Sequence, residues 1–290
     1  MKRLSITPLF LLPAFGLIIV FYFLPAAYSF YISLQKYNLM NPKELGKFAG
    51  VDNYISVILS DAFQNSLIVS LKFTLLAVAL LLLIGLGIAV LLNEKVKGRE
   101  MMLIIILIPW AIPLVSASVI WQWMLDPFFG WLNGILYSLG LIPRYIYWLS
   151  DPTLAFYSLL FTHAWKNLPF TVTVLLAALQ TVPSELIESA DIDGAGFWKK
   201  FWYITLPWIR MSILVVLLLN TFWTLQTFDL AYNLTQGGPG NATQVLPLFI
   251  WLIAFSGLDF GQANALAFIL LIISFILALI YLRILYRGES

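Results

Sequence analysis

Long apolar runs separated by short polar segments dominate this 290-residue chain. A bilayer-spanning helix needs about 20 consecutive, mostly apolar residues. The pattern therefore predicts an all-α integral membrane protein with six transmembrane helices, forming a single transmembrane domain over residues 1–290. The six runs lie near residues 9–34, 66–92, 102–124, 153–181, 207–234 and 262–286.

The composition supports this assignment. Hydrophobic residues make up 61% of the chain and charged residues only 10%, whereas soluble proteins carry about 25% charged residues. A net charge of +2 with dispersed basic residues gives no indication of nucleic-acid binding. The absence of cysteine excludes disulfides, thiolate metal sites and cysteine nucleophiles.

Two of the apolar runs carry further signals. The first is roughly 25 residues long, more than the 7–15 of a cleaved signal peptide, so we expect an uncleaved first span. The third contains Pro109 and Pro113. Proline interrupts helical hydrogen bonding, so this span should bend and leave backbone carbonyls free.

Basic residues next to the spans predict the orientation, because cytoplasmic loops carry an excess of lysine and arginine. With the N-terminus inside, ten basic residues flank cytoplasmic ends and four flank outer ends. We therefore expect both termini in the cytoplasm. The cytoplasmic set is Lys2, Arg3, Lys95, Lys97, Arg99, Lys199, Lys200, Arg210, Arg283 and Arg287; the outer set is Lys36, Lys43, Lys47 and Arg144.

A polar segment, residues 183–207, separates the fourth and fifth runs. Pro183 and Ser184 are suitable helix-start residues, and Glu188 lies near the positive end of that helix dipole. Residues 193–196, DGAG, should end the helix, and FWKKFWYI should form a second helix at the membrane surface before the next span begins at Thr205. The segment is either a plain connection or a docking element for a cytoplasmic partner.

The same segment resembles the EAA loop of ABC importer permeases. It has E-S-A at 188–190, a glycine at 194 and I-x-L-P at 204–207, and it departs from the motif in Ser189. WLSDP at 148–152, TQGGP at 235–239 and DFGQANALAFIL at 259–270 resemble sugar permeases of the maltose-transporter type. The resemblance covers nearly the whole chain and is greatest to the first of the two permease subunits in such systems.

This resemblance implies the type I ABC importer permease fold. It also implies a translocation subunit that passes a mono-, di- or oligosaccharide from a binding protein into the cytoplasm by alternating access. The implied partners are a second homologous permease, two ABC ATPases and an extracytoplasmic sugar-binding protein, in the cell membrane of a prokaryote. Residues 183–207 would be the coupling loop, with Glu188, Ala190, Asp193, Gly194 and Ala195 contacting an ATPase.

The chain is not expected to be an enzyme. No G-x-x-x-x-G-K-[ST] phosphate loop occurs in it, so ATP and magnesium should bind the partner ATPase, and no cofactor should bind here. The single histidine, His163, lacks a second histidine or a cysteine with which to form a metal site, so none is predicted.

Two helical faces are candidates for the solute pathway. Each combines amide or hydroxyl groups with an aromatic ring, as sugar binding requires. The alternative is ordinary hydrogen bonding between helices, but the resemblance places both faces near the sugar cavity of maltose-type permeases. The faces are His163, Lys166, Asn167 and Phe170 on the fourth run, and Asn220, Trp223, Thr224 and Thr227 on the fifth.

Lys166 and Asp229 leave other interpretations open. Lys166 would pair with Asp229, extend to the membrane surface, or bind an anionic substrate such as a sugar phosphate. Asp229 is also the plausible intramembrane acid for a competing hypothesis, an ion-coupled secondary transporter that works alone.

Overall fold

The computed structural model describes residues 7–94 and 97–287, and this part of the chain is mainly helical. A two-stranded antiparallel hairpin joins β1 (Gln35–Lys36) to β2 (Lys47–Phe48). The helices are α1 (Thr7–Ile18), α2 (Leu24–Ser33), α3 (Asp52–Ile58), α4 (Asp61–Asn93), α5 (Arg99–Ala111), α6 (Leu114–Met124), α7 (Trp131–Ser138), α8 (Pro152–Leu179), α9 (Ser184–Ile192), α10 (Phe197–Lys200), α11 (Leu206–Leu225), α12 (Asp229–Thr235), α13 (Leu246–Trp251) and α14 (Phe260–Arg287).

Four to six membrane crossings are possible among the described residues, judged by length and composition. Four continuous helical segments are long and apolar enough: Leu12–Ser33, Asp61–Asn93, Phe197–Leu225 and Phe260–Ile284. Two bent pairs also qualify, α5 with α6 at 99° and α8 with α9 at 68°. Lys2, Arg3 and Lys95, which were used to predict the orientation, lie outside the described residues.

The bend predicted for the third run is confirmed. Helix α5 ends at Ala111, and Pro113 precedes the first residue of α6. Pro113 has no N–H to donate to the carbonyl four residues earlier, and its ring conflicts with that carbonyl. The two halves therefore meet at 99° instead of forming one straight helix.

The expectation that the surface helix and the fifth span are separate is wrong. Helix α10, the π-helical turn Phe201–Thr205 and α11 form one continuous segment, Phe197–Leu225. The N–H of Leu206 donates to the carbonyl of Phe201, five residues earlier. Such a wide turn lets the helix accept Pro207 in the first turn of α11 without ending.

The chain divides into two compact units. One runs to Gln64 and includes Phe249–Ile273; the other comprises Asn65–Leu248 and the residues from Ser274 onward. The larger unit has a buried core where α4, α8 and α11 pack. Its members are Ala89, Leu92, Val172, Leu175, Leu176, Ala178, Leu179, Ile209 and Val216.

In the smaller unit, hydrogen bonds connect the β1–β2 hairpin to the start of α14. The N–H of Phe260 donates to the carbonyl of Tyr37 (2.8 Å), and the side-chain amide of Asn38 donates to Asp259 (2.9 Å). The backbone approaches closely at Gly261, where a Cβ atom would lie 2.5 Å from the carbonyl oxygen of Gln35. The DFG stretch at 259–261 thus has a structural role in this unit.

We predict that Gly261→Ala destabilises the protein by about 1–3 kcal/mol, because the added methyl group forces two backbone segments apart. Gly87→Ala is the matched control, since a Cβ at this helical glycine meets nothing within 4 Å. Thermal unfolding of the purified protein should separate the two variants. Equal midpoints for both would contradict the close approach at Gly261.

Candidate functional site

The segment 183–207 forms a helical hairpin with a well-defined turn. Helix α9 begins at Ser184 and ends at Ile192, as the sequence predicts. The N–H of Ala195 donates to the carbonyl of Ala190 (2.8 Å), and that of Gly194 donates to the carbonyl of Asp191 (3.0 Å). This pair of hydrogen bonds is a Schellman motif, in which Gly194 adopts a left-handed φ of +74°.

An ion pair fastens the two arms of this hairpin. Lys200 Nζ lies 2.6 Å from Asp191 Oδ1. Because Lys200 belongs to α10, which continues into α11, the contact joins α9 to the start of the long segment Phe197–Leu225. The turn is therefore held by backbone hydrogen bonds and by one side-chain contact.

The predicted coupling residues lie at or near the exposed tip of the hairpin. Glu188, Asp193 and Gly194 are exposed, while Ala190 and Ala195 are half-buried. Sequence reasoning missed Ile192, whose side chain is 87% exposed at the end of α9. Its position four residues after Glu188 puts an apolar and an acidic side chain on one helical face. Such a face suits docking against another protein.

On the two intramembrane faces, four of the predicted residues form one hydrogen-bonded group, here called the polar cluster: His163, Asn167, Thr224 and Thr227. His163 Nε2 is 3.0 Å from Thr224 Oγ1, and its Nδ1 is 3.3 Å from Thr227 Oγ1. The Thr224 hydroxyl donates to the carbonyl of Asn220 (2.6 Å). The Thr227 hydroxyl likewise donates to the carbonyl of Trp223 (3.1 Å), so each hydroxyl oxygen is free to accept from the histidine ring.

The polar cluster is closed off in this structure. His163 is only 4% exposed, and Thr224 and Thr227 are also buried. Thr227 lies past the end of α11 at Leu225, so the fifth run, predicted as a span over 207–234, is interrupted there. Asn167 donates to the backbone carbonyl of His163 (2.9 Å). Asn220, one turn before Thr224, donates to Thr171 (2.9 Å), but its buried Oδ1 has no partner among the described residues. The cluster thus joins α8 to α11, and the neighbouring Asn220 retains an unused acceptor.

Phe170 and Trp223 lie together beside the polar cluster. Their rings are 4.6 Å apart at the centroids, and Trp110 lies 6.2 Å from Phe170 on the other side. Trp223 is 39% exposed and Trp110 more so. These three residues form the aromatic platform, an accessible stacking surface. Trp110 was not among the predicted site residues, although its position beside Pro109 marked it as part of the bent span.

Lys166 lies apart from the polar cluster and contacts the bend in the third span. Its Nζ donates to the carbonyls of Pro109 (3.0 Å) and Trp110 (2.9 Å). The last four carbonyls of a helix lack intrahelical donors, and these two belong to the last turn of α5. The Pro109 carbonyl also accepts from the N–H of Ile112 (3.3 Å), so the buried lysine adds a second donor there and supplies one to Trp110, instead of pairing with Asp229.

Proteins of known family resemble this chain over most of its length. Residues 82–287 match the family described as the binding-protein-dependent transport system inner membrane component. The chain is 36% identical to the trehalose/maltose transport system permease protein MalF of Thermococcus litoralis, covering 95% of this chain and 92% of the relative. It is 37% identical to the sulfoquinovosyl glycerol transport system permease protein SmoG of Agrobacterium fabrum, covering 95% and 89% respectively.

A solved structure supports the same fold. The chain superposes with a TM-score of 0.85 on a chain from a bacterial ABC transporter involved in the import of the acidic polysaccharide alginate. The two are 23% identical, and the alignment covers 99% of this chain and 96% of that one. This chain therefore shares the fold of that transporter chain.

We predict that Lys166→Met lowers the stability of the protein by about 1–3 kcal/mol, because the Trp110 carbonyl loses its lysine donor and the Pro109 carbonyl retains just the N–H of Ile112. Lys72→Met is the matched control: Lys72 is exposed on α4 and contacts only the Phe156 ring face among the interactions assigned to it. Thermal unfolding in detergent should show a lower midpoint for Lys166→Met alone. An unchanged midpoint would mean that the bend is held by other contacts.

Proposed function

Because the chain belongs to the family of binding-protein-dependent transport system inner membrane components, we propose that it moves a sugar across the cell membrane as one permease subunit of an ATP-binding-cassette importer. The observation that carries the proposal is the rigid, exposed hairpin of α9 and α10 at the junction of two apolar helices. An isoleucine exposed beside acidic residues at its tip suits a docking element better than a plain connection.

The proposed topology has six spans with both termini in the cytoplasm. The bent pair α5–α6 counts as the third span, and α8 as the fourth. Under this topology the helical hairpin at 183–207 faces the cytoplasm, and α7 lies on the outer side. The excess of basic residues at the inner ends of the spans supports this orientation.

In the proposed mechanism, α9 docks on a partner ATPase. Glu188 provides a polar anchor and Ile192 an apolar one, while Gly194 directs the turn. Closure of two ATPase subunits around ATP and magnesium would displace the hairpin. Because α9 follows α8 and α10 continues into α11, both helices that carry the polar cluster would respond to that movement.

The solute proposal rests on the polar cluster and the aromatic platform. Sugar hydroxyls need hydrogen-bonding groups, and the C–H face of the ring stacks on aromatic side chains. Named relatives transport trehalose or maltose and sulfoquinovosyl glycerol, which supports a glycan substrate. Lys166 already donates to two carbonyls, so the proposal assigns it to the protein frame and not to the solute.

The complete importer would contain several other chains. We expect a second, homologous permease, two ATPases that bind the nucleotide, and an extracytoplasmic sugar-binding protein, in a prokaryotic cell membrane. This chain would be a non-catalytic translocation subunit. The family is defined by its dependence on a binding protein, which supports the extracytoplasmic sugar-binding protein as a partner.

We predict that Glu188→Lys combined with Gly194→Pro abolishes co-purification of the ATPase. Proline cannot adopt the φ of +74° found at Gly194, and it removes the N–H that donates to Asp191. The protein should be purified from its own membranes in mild detergent and its partners identified by mass spectrometry. The second permease should remain bound to the variant.

Glu100→Lys, a charge reversal at another exposed residue near a predicted cytoplasmic end, serves as the control and should retain the ATPase. Equal ATPase recovery from the double variant would refute the docking role of α9. A parent protein that purifies alone and transports sugar alone in liposomes would overturn the importer assembly itself.

We also predict that Trp223→Leu raises the sugar concentration for half-maximal stimulation of ATP hydrolysis about tenfold, equivalent to ~1.4 kcal/mol. The variant removes one ring of the aromatic platform. Trp123→Leu is the control, since Trp123 is exposed on α6 outside the platform. The purified importer in liposomes is the system to assay. Equal shifts in both variants would argue against stacking at Trp223.

A further inference from the structure

A cavity that differs chemically from the polar cluster lies between α6, α7 and α8. Its volume is about 380 Å³, and it is almost entirely apolar. The lining includes Trp121, Trp131, Leu132, Trp148, Tyr157 and Phe161. None of these residues belongs to the polar cluster or the aromatic platform, so the cavity has no part in the proposed sugar pathway.

Helix α7 indicates where this cavity opens. Its Asn133 is fully buried: the side-chain amide donates to the carbonyl of Ile146 (2.9 Å) and accepts from Trp148 Nε1 (3.0 Å). Trp131 and Ile135, on other positions of the same helix, are exposed and apolar. Exposed tryptophan and tyrosine side chains are typical of the membrane–water interface, and α7 exposes Trp131 and Tyr137. Trp131 also lines the cavity, which places the cavity at that depth.

One polar group in the cavity wall lacks a partner. Trp121 is 7% exposed, and its indole Nε1 has no hydrogen-bond acceptor among the described residues. Buried indole N–H groups normally find an acceptor. The cavity thus combines a large apolar volume with one unused hydrogen-bond donor. This combination suits an amphiphile whose hydrocarbon chain ends in a hydrogen-bond acceptor.

We propose that this cavity binds a membrane glycerophospholipid, with one acyl chain inside and an ester carbonyl accepting from Trp121 Nε1. An apolar cavity of this kind does not hold water. In contrast, lipid is present at high concentration at the depth that α7 occupies. The inference needs only insertion of the chain in a membrane; the proposed topology adds that the lipid belongs to the outer leaflet.

A photoactivatable phosphatidylcholine tests this proposal directly. The importer, purified with its partners, would be reconstituted in liposomes containing the lipid with a diazirine in one acyl chain. After illumination, labelled peptides would be identified by mass spectrometry. We expect the label to be enriched on residues 121–132 and 154–161, relative to the exposed Leu75 and Leu83 of α4.

Two variants distinguish a bound lipid from general bilayer contact. Ser158→Phe fills the cavity and should abolish the enrichment, while labelling of α4 stays unchanged. Trp121→Phe keeps an aromatic ring but removes the donor, so lipid retention in native mass spectrometry should weaken about two- to tenfold, the effect of one neutral hydrogen bond. Trp123→Phe, at an exposed tryptophan on the same helix, should retain the lipid as the parent does.

Labelling of the cavity peptides no higher than that of α4 would overturn the proposal. In a parallel sample treated with a protein–protein cross-linker, joining of the same peptides to the second permease would also overturn it, because a protein side chain would then occupy the cavity. Both readouts are independent of sugar transport, and a chain that purifies without partners can be labelled alone in the same liposomes, so failure of the importer proposal would leave this test intact.

Discussion

Hydrogen bonds from Lys166 to the carbonyls of Pro109 and Trp110 stabilise the bend in the third span, and the other sites depend on that bend. Inside a bilayer, an unpaired backbone carbonyl costs several kcal/mol. At the 99° bend of the third span, the N–H of Ile112 donates to Pro109 (3.3 Å), and another group must supply a donor to the Trp110 carbonyl. Lys166 does so from α8. The bend in turn brings Trp110 to the aromatic platform and directs α6 toward the apolar cavity.

Local sequence chemistry was sufficient for several features. Pro109 and Pro113 predicted the broken span, and the DGAG stretch predicted the end of α9 at a left-handed glycine. Family membership was also accessible, because the EAA-like segment and TQGGP are short, contiguous motifs, and the match over residues 82–287 confirms it. Each of these signals depends on neighbours within a few residues.

Contacts between residues far apart in the sequence could not be predicted from the sequence. Lys166 lies 57 residues after Pro109, so nothing near it in sequence indicates which carbonyls it contacts. Pro207 suggested that a helix starts there, yet the helix continues through it. The continuation depends on the geometry of the preceding π-helical turn, which the sequence does not indicate. Ile192 was overlooked because an isoleucine in an amphipathic helix is usually buried, and only the fold reveals its exposure.

The positions of α8 and α11 link the helical hairpin to the polar cluster. The hairpin is attached to both helices, and buried residues such as Val172 and Val216 pack α8 against α11 between the two sites. A displacement of the hairpin that separates these helices must break the His163–Thr224 contact. It would at the same time expose Asn220 Oδ1, the acceptor without a partner among the described residues. In the proposed importer, the groups that hold the closed state together are thus the same groups that become available to a sugar when the helices part.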